Sequence, residues 1–119
     1  MKKTVVLGAT PRQDRYAYLA ATRLMRHGHE VVLVGMHEGK IGGVEIHTDR
    51  PHIEGVDTIT LYVGTRNLPA WFDYILSLKP KRIIYNPGTE NDELEKLAEE
   101  NGIENEIGCT LVMLSVGNY

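Results

Sequence analysis

Four short runs of glycine and small polar residues each follow an apolar segment: Gly8–Gln13, Gly35–Gly43, Val63–Asn67 and Asn86–Asn91. The first, Gly8-Ala9-Thr10-Pro11-Arg12-Gln13, combines what an anion site needs. Glycine lets the backbone turn tightly, and a helix beginning just beyond it offers unpaired N–H groups to negative charge. Thr10 adds a hydroxyl, and Arg12 adds a planar charged fork suited to phosphate. In the second run, Glu38-Gly39-Lys40-Ile41-Gly42-Gly43, a lysine among glycines reaches a phosphate unobstructed or is simply solvated, and the residues favour neither reading. In the third, Val63-Gly64-Thr65-Arg66-Asn67, Arg66 reads equally well as a second anion contact or as a surface charge. The candidate ligand-binding set is therefore Gly8, Ala9, Thr10, Pro11, Arg12, Gln13, Gly35, Lys40, Val63, Gly64, Thr65 and Arg66.

Other chemistries are less well served. A Gly-x-Gly-x-x-Gly dinucleotide fingerprint needs glycines where Thr10 and Gln13 stand. The acidic residue that would grip a ribose after the second apolar run is also missing from Val34-Gly35-Met36-His37, and Glu38 arrives late. A nicotinamide nucleotide is thus disfavoured. The five histidines, at 27, 29, 37, 47 and 52, show no acid–base partner and no metal-ligand spacing. His27 and His29 flank a glycine that ends a helix and read as surface residues; His37 follows an apolar run and reads as a loop residue. No catalytic or metal-ligating residue is assigned.

The elements that must position these loops follow from periodicity. Short apolar, β-branched runs at Thr4–Leu7, Glu30–Val34, Thr58–Val63, Arg82–Tyr85 and Glu104–Ile107 read as strands. Helical spacing marks Asp14–His27, Leu68–Leu78 and Asn91–Asn101. Asp14 is suited to cap the first of these, Gly28 and Gly102 stop the first and third, and Pro69 fits a first turn. Met36–Val56 reads as loop, with room for a short extended piece at Val44–His47, and the tail after Gly108 as a final helical turn or two. Apolar strands alternating with amphipathic helices predict an α/β fold: a Rossmann-like, doubly wound parallel sheet of about five strands with helices on both faces. In such a sheet ligands sit at the carboxyl ends of the strands, where all four runs fall.

Composition sets the bounds. The chain has 119 residues and a formal charge of −3, which suits a single domain spanning residues 1–119. No basic face recruits nucleic acid or anionic lipid by bulk electrostatics, and no apolar run approaches a membrane span of about 20 residues. One cysteine, Cys109, leaves no intramolecular disulfide and no multi-cysteine zinc site. A cytoplasmic location is expected.

The assembled residues resemble the small, single-domain coenzyme A-binding proteins of bacteria, which share their fold with the N-terminal domain of the succinyl-CoA synthetase alpha subunit. The resemblance covers nearly the whole chain. It rests on Val5-Val6-Leu7-Gly8-Ala9-Thr10-Pro11, His27-Gly28-His29-Glu30-Val31, Gly39-Lys40, Val56-Asp57, Pro87-Gly88-Thr89-Glu90-Asn91 with Glu93 and Ala98, Gly102-Ile103, and Ile107-Gly108-Cys109. It implies that Gly8, Thr10, Pro11, Arg12 and Gln13 hold a CoA phosphate, that Lys40 meets the nucleotide end, and that Val63, Gly64 and Thr65 line the pantetheine path. Two loops depart from the family pattern. Gly64 and Thr65, with a later Arg66, stand where many small members carry paired arginines, and Asn86-Pro87-Gly88 replaces a glutamine-containing loop. Cys109 has two readings, an inert core thiol or a thiol beside that of the ligand, able to form a mixed disulfide with it.

The resemblance implies a non-catalytic module that binds coenzyme A or an acyl-CoA as carrier, sensor or regulatory subunit. The chain has neither the second domain with a phosphorylated histidine nor the ATP-grasp partner of the synthetase reaction. The alternatives are a nicotinamide-dependent oxidoreductase and a protein-interaction subunit with an unused nucleotide pocket. The expected partner is a small-molecule nucleotide ligand, with no nucleic acid and no membrane. A sheet edge leaves room for a homodimer or another protein partner.

Overall fold

The computed structural model describes residues 1–119. The strands are β1 (Thr4–Leu7), β2 (Val31–Val34), β3 (Lys40–Ile41), β4 (Val44–His47), β5 (Thr58–Leu61), β6 (Arg82–Tyr85) and β7 (Glu104–Ile107). They form one sheet in the order β3-β4-β2-β1-β5-β6-β7, parallel except for the β3–β4 pair. The helices are α1 (Tyr16–Arg26), α2 (Phe72–Ser77, preceded by a 3-10 turn at Leu68–Trp71), α3 (Asp92–Glu100) and α4 (Thr110–Val116). No helix is long and apolar enough to cross a membrane.

The period of two in β1 explains the layers. Val5 and Leu7 face a cluster that includes Ile59, Leu61, Ile75, Ile83 and Leu94, under α2 and α3. Val6 faces the other way, into a cluster with Ala17, Ala21, Leu24, Leu33 and Leu114, under α1 and α4. A central strand buried on both faces reads as a continuous apolar run, and β1 is buried at all four positions. Each leucine or isoleucine removed from water there contributes about 1.5–3 kcal/mol.

The strand order reverses beside β1. The chain winds outward from β1 through β2 to β4, then returns to add β5 on the other side of β1. The carboxyl ends of β1 and β5 therefore flank the topological switch point, where such sheets bind ligands.

The doubly wound sheet and all five expected strands are present, the short extended piece expected at Val44–His47 is β4, and the sheet reaches seven strands because β4 pairs with β3 in a hairpin. Gly42 and Gly43, with φ of 56° and 81°, form the two-residue turn that pairs Lys40 with Glu45 and Ile41 with Val44. Two successive residues at positive φ suit the primed turns that match strand twist. Ile46 then pairs with Leu33 and joins the hairpin to β2. One correction concerns α1. It begins at Tyr16, with Arg15 at the cap position in extended conformation and no side-chain cap, so Asp14 does not serve as one. The Asp14 carboxylate instead lies 3.7 Å from Arg12 Nε.

Candidate functional site

The loop after β1 is held in place from three sides. The N–H groups of Gly8 and Ala9 both donate to the carbonyl of Val34, at 2.8 and 3.0 Å. Gly8 has φ of 98°, and a Cβ there would meet the backbone of Tyr62 at 2.8 Å. Gly39 lies under Pro11, with room for no Cβ (2.8 Å to Pro11 Cβ). The loop is therefore clamped between the ends of β2, β3 and β5, and its outer side faces a cavity of about 340 Å3. Gly8, Thr10, Arg12, Arg15, Tyr16, Ala17, His37 and Tyr62 line that cavity.

This cavity holds the chemistry that the sequence suggested for the first loop. Thr10 Oγ1 accepts from the N–H of Arg12 at 3.3 Å, folding the loop over itself. The N–H groups of Tyr16 and Ala17 have no partner within the chain, because α1 lacks a side-chain cap. Unpaired donors and the positive end of the helix dipole thus point where Arg12 and Arg15 add two cations. The Arg12–Asp14 pair is exposed on both sides and presents little competition for a phosphate.

The other expected residues divide. Gly35 is buried behind the loop and acts through close approach rather than contact with the cavity. Ala9 is buried, and Pro11 and Gln13 lie outside this cavity's wall. Val63, Gly64, Thr65 and Arg66 form the turn after β5. It is tied to the loop after β6 by Asn91 Nδ2 donating to Thr65 Oγ1 at 2.9 Å, and Arg66 is exposed without an ion-pair partner. Lys40 is set apart. It lies on β3 in a separate concavity of about 500 Å3, alongside the carboxylates of Glu38, Glu45 and Asp49. Three carboxylates around one ammonium make a poor phosphate environment.

A second cavity adjoins the first. It has a volume of about 260 Å3 and is lined by Tyr16, Tyr62, Asn86, Pro87, Cys109 and Leu111. Tyr16 and Tyr62 belong to both cavities. Cys109 is a half-buried wall residue here, not a core thiol. Beneath the wall lies a buried polar network. Asn86 Nδ2 donates to Thr60 Oγ1 (2.7 Å) and to the carbonyl of Leu61 (2.9 Å), its Oδ1 accepts from the N–H of Thr110 (2.9 Å), and the Thr60 and Thr110 hydroxyls are 2.7 Å apart. Three elements, β5, β6 and α4, are thereby fixed at one point. The Tyr62 hydroxyl beside them is buried without a hydrogen-bond partner, and burial, with Cys109 nearby, pushes its pKa up. It stays a neutral phenol.

Residues 2–115 match the family described as CoA binding domain. The chain belongs to that family. A crystal structure of an uncharacterized protein is 61% identical to this CoA binding domain, with TM-score 0.98, covering 100% of this chain and 98% of that one. A hypothetical protein from Pyrococcus horikoshii OT3 shares the fold at 20% identity and TM-score 0.87, over 97% and 82% of the two chains. The fold also recurs in a dinucleotide forming acetyl-coenzyme A synthetase 1 of Ca. Korarchaeum cryptofilum, solved with phosphate and ADP. There the identity is 16% and the TM-score 0.70, over 91% of this chain and 26% of that one. No curated protein matches the chain.

Arg15, Tyr62 and Leu111 enter the two cavities of this CoA binding domain without having been singled out in the sequence, and Asn86 and Pro87 enter from the fourth run, outside the candidate set. Tyr62 carried a signal: it directly precedes the small-residue run at Val63, at the end of a strand whose loop was already a candidate.

Proposed function

We propose that this chain binds coenzyme A or an acyl-CoA as a non-catalytic module, acting as carrier, sensor or regulatory subunit. The observation that carries the reading is the switch-point cavity itself. Thr10, Arg12, Arg15 and the open N–H groups of α1 converge on it, within a fold that belongs to the CoA binding domain family. The residues fit the ligand. Phosphates take charged forks, a hydroxyl and backbone donors at Gly8–Ala17, and the pantetheine arm runs past Tyr62 and Tyr16 into the second cavity. Bound CoA supplies a thiol or thioester; the chain's part is to hold the phosphates and bury the far end. His37 and Tyr62, both on the wall of the switch-point cavity, have no ion pair with an acid, and the Tyr62 hydroxyl has no hydrogen-bond partner.

A protein-interaction role has one supporting observation: Val112 and Val116, one turn apart on α4, are 56% and 66% exposed. Calorimetric titration with CoA, acetyl-CoA and NAD in parallel tests the main reading. CoA or acetyl-CoA binding without NAD binding is the expected result. Binding of NAD alone overturns it, and binding of none leaves the interaction role, checked by sedimentation.

A further inference from the structure

We infer that the ligand is an acyl thioester carrying a short, uncharged acyl group, seated in the cavity formed by Tyr16, Tyr62, Asn86, Pro87, Cys109 and Leu111. The inference rests on the coenzyme A reading above and narrows it. Continuity comes first. Tyr16 and Tyr62 line this cavity and the phosphate-loop cavity alike, so one extended ligand occupies both.

Size decides how much of the ligand enters. Sites that enclose a whole drug-sized ligand run from about 300 to 1,000 Å3. At about 260 Å3 this cavity takes the end of a ligand. With roughly 30 Å3 for each water-sized group, it holds roughly eight heavy atoms, enough for a thioester and a few carbons. A pantetheine arm ending in a bare thiol would leave part of that space to water lying against tyrosine rings, proline and leucine.

The walls decide the charge. No lysine, arginine or histidine lines the cavity. The one amide there, Asn86, is fully committed: its Nδ2 donates twice and its Oδ1 accepts from Thr110. A carboxylate at the end of an acyl chain would lose its hydration and find only neutral donors in exchange, the unpartnered Tyr62 hydroxyl first among them, with no cation to balance its charge. A neutral alkyl end loses nothing and buries apolar surface.

The test is calorimetric titration of the intact protein with CoA, acetyl-CoA, butyryl-CoA and succinyl-CoA. Acetyl-CoA should bind more tightly than CoA. Butyryl-CoA should gain roughly fifteenfold over acetyl-CoA, at about fourfold for each of the two added methylenes buried. Succinyl-CoA should bind at least about tenfold more weakly than butyryl-CoA. The Leu111→Trp variant fills the cavity, and within it the acetyl-to-butyryl gain should vanish. CoA binding as tightly as butyryl-CoA would overturn the acyl inference while leaving the coenzyme A reading intact. Equal affinity for the succinyl and butyryl forms would overturn the uncharged chain, and a gain that persists in the variant would overturn its placement. Binding of none of the four overturns both. Should the variant fail to fold, the wild-type series alone decides.

Discussion

Gly35 sits against the carbonyl of Ala9, so close that a Cβ on Gly35 would lie 2.2 Å from that oxygen. The end of β2 thereby presses on the loop that carries Thr10 and Arg12. Gly35→Ala must push the loop outward or break the bonds that Gly8 and Ala9 make to Val34. Overpacking of this kind costs about 1–3 kcal/mol. The urea midpoint should fall accordingly, and CoA affinity should fall with it, because the displaced loop is the proposed phosphate site.

Arg12 and Lys40 stood as equal members of the candidate set, and the fold separates them. Arg12 shares its cavity with Thr10, Arg15 and the start of α1, whereas Lys40 shares another with three carboxylates. Arg12→Ala should weaken CoA binding by about 1.5–3 kcal/mol, the range for hydrogen bonds to a charged group. Lys40→Ala should change it by less than about 0.5 kcal/mol. Calorimetry on both variants checks this, and equal losses would put Lys40 back at the ligand.

Asn86 ties β5, β6 and α4 through three side-chain hydrogen bonds, all buried. Asn86→Leu leaves the N–H of Thr110 and the carbonyl of Leu61 without partners. At about 1–3 kcal/mol for each unsatisfied group, the loss should reach about 3 kcal/mol. Thermal unfolding measures it. Asn86→Asp should be no better, since a carboxylate cannot donate to Thr60 or Leu61.

The sequence carried the architecture further than the site. Strand runs such as Val5–Leu7 and the stop at Gly102 are local signals, and they placed the doubly wound sheet and the loops at its carboxyl edge. β4 falls on the extended piece expected at Val44–His47, whereas β3, two residues long, has no periodicity to mark it beside the Gly42-Gly43 turn. Asp14 does not cap α1 because the helix starts two residues later, at Tyr16, with Arg15 at the cap position. Lys40 was grouped with Arg12 because both stand in glycine-bearing loops; separating them needs the hairpin's geometry. Tyr62, Asn86 and Leu111 meet only because β5, β6 and α4 converge, a relation with no sequence spacing to announce it.

His29 reads from its neighbours as a surface residue, yet it is half-buried at the opposite edge of the sheet from the site. Its Nδ1 accepts the N–H of Lys2 at 3.0 Å, and its ring lies 4.9 Å from that of Tyr119. Tyr119 in turn bonds Thr4 through its hydroxyl at 2.5 Å and carries the Arg82 guanidinium 4.6 Å from its ring centre. Accepting a hydrogen bond requires a neutral imidazole nitrogen, and protonation would add charge beside Lys2 and Arg82. Burial, then the amino terminus and the nearby cations, holds the His29 pKa below its usual 6.5. The unfolded chain therefore binds this proton at higher pH than the folded one. By linkage, stability is fully present above 6.5 and declines as pH falls from there toward the folded-state value. Urea midpoints should drop between pH 7.5 and 5.5, and His29→Gln should flatten that drop while leaving the value at pH 7.5 nearly unchanged. A wild-type midpoint constant across that interval, or an equal decline in the variant, would show that His29 does not couple the protein's stability to pH.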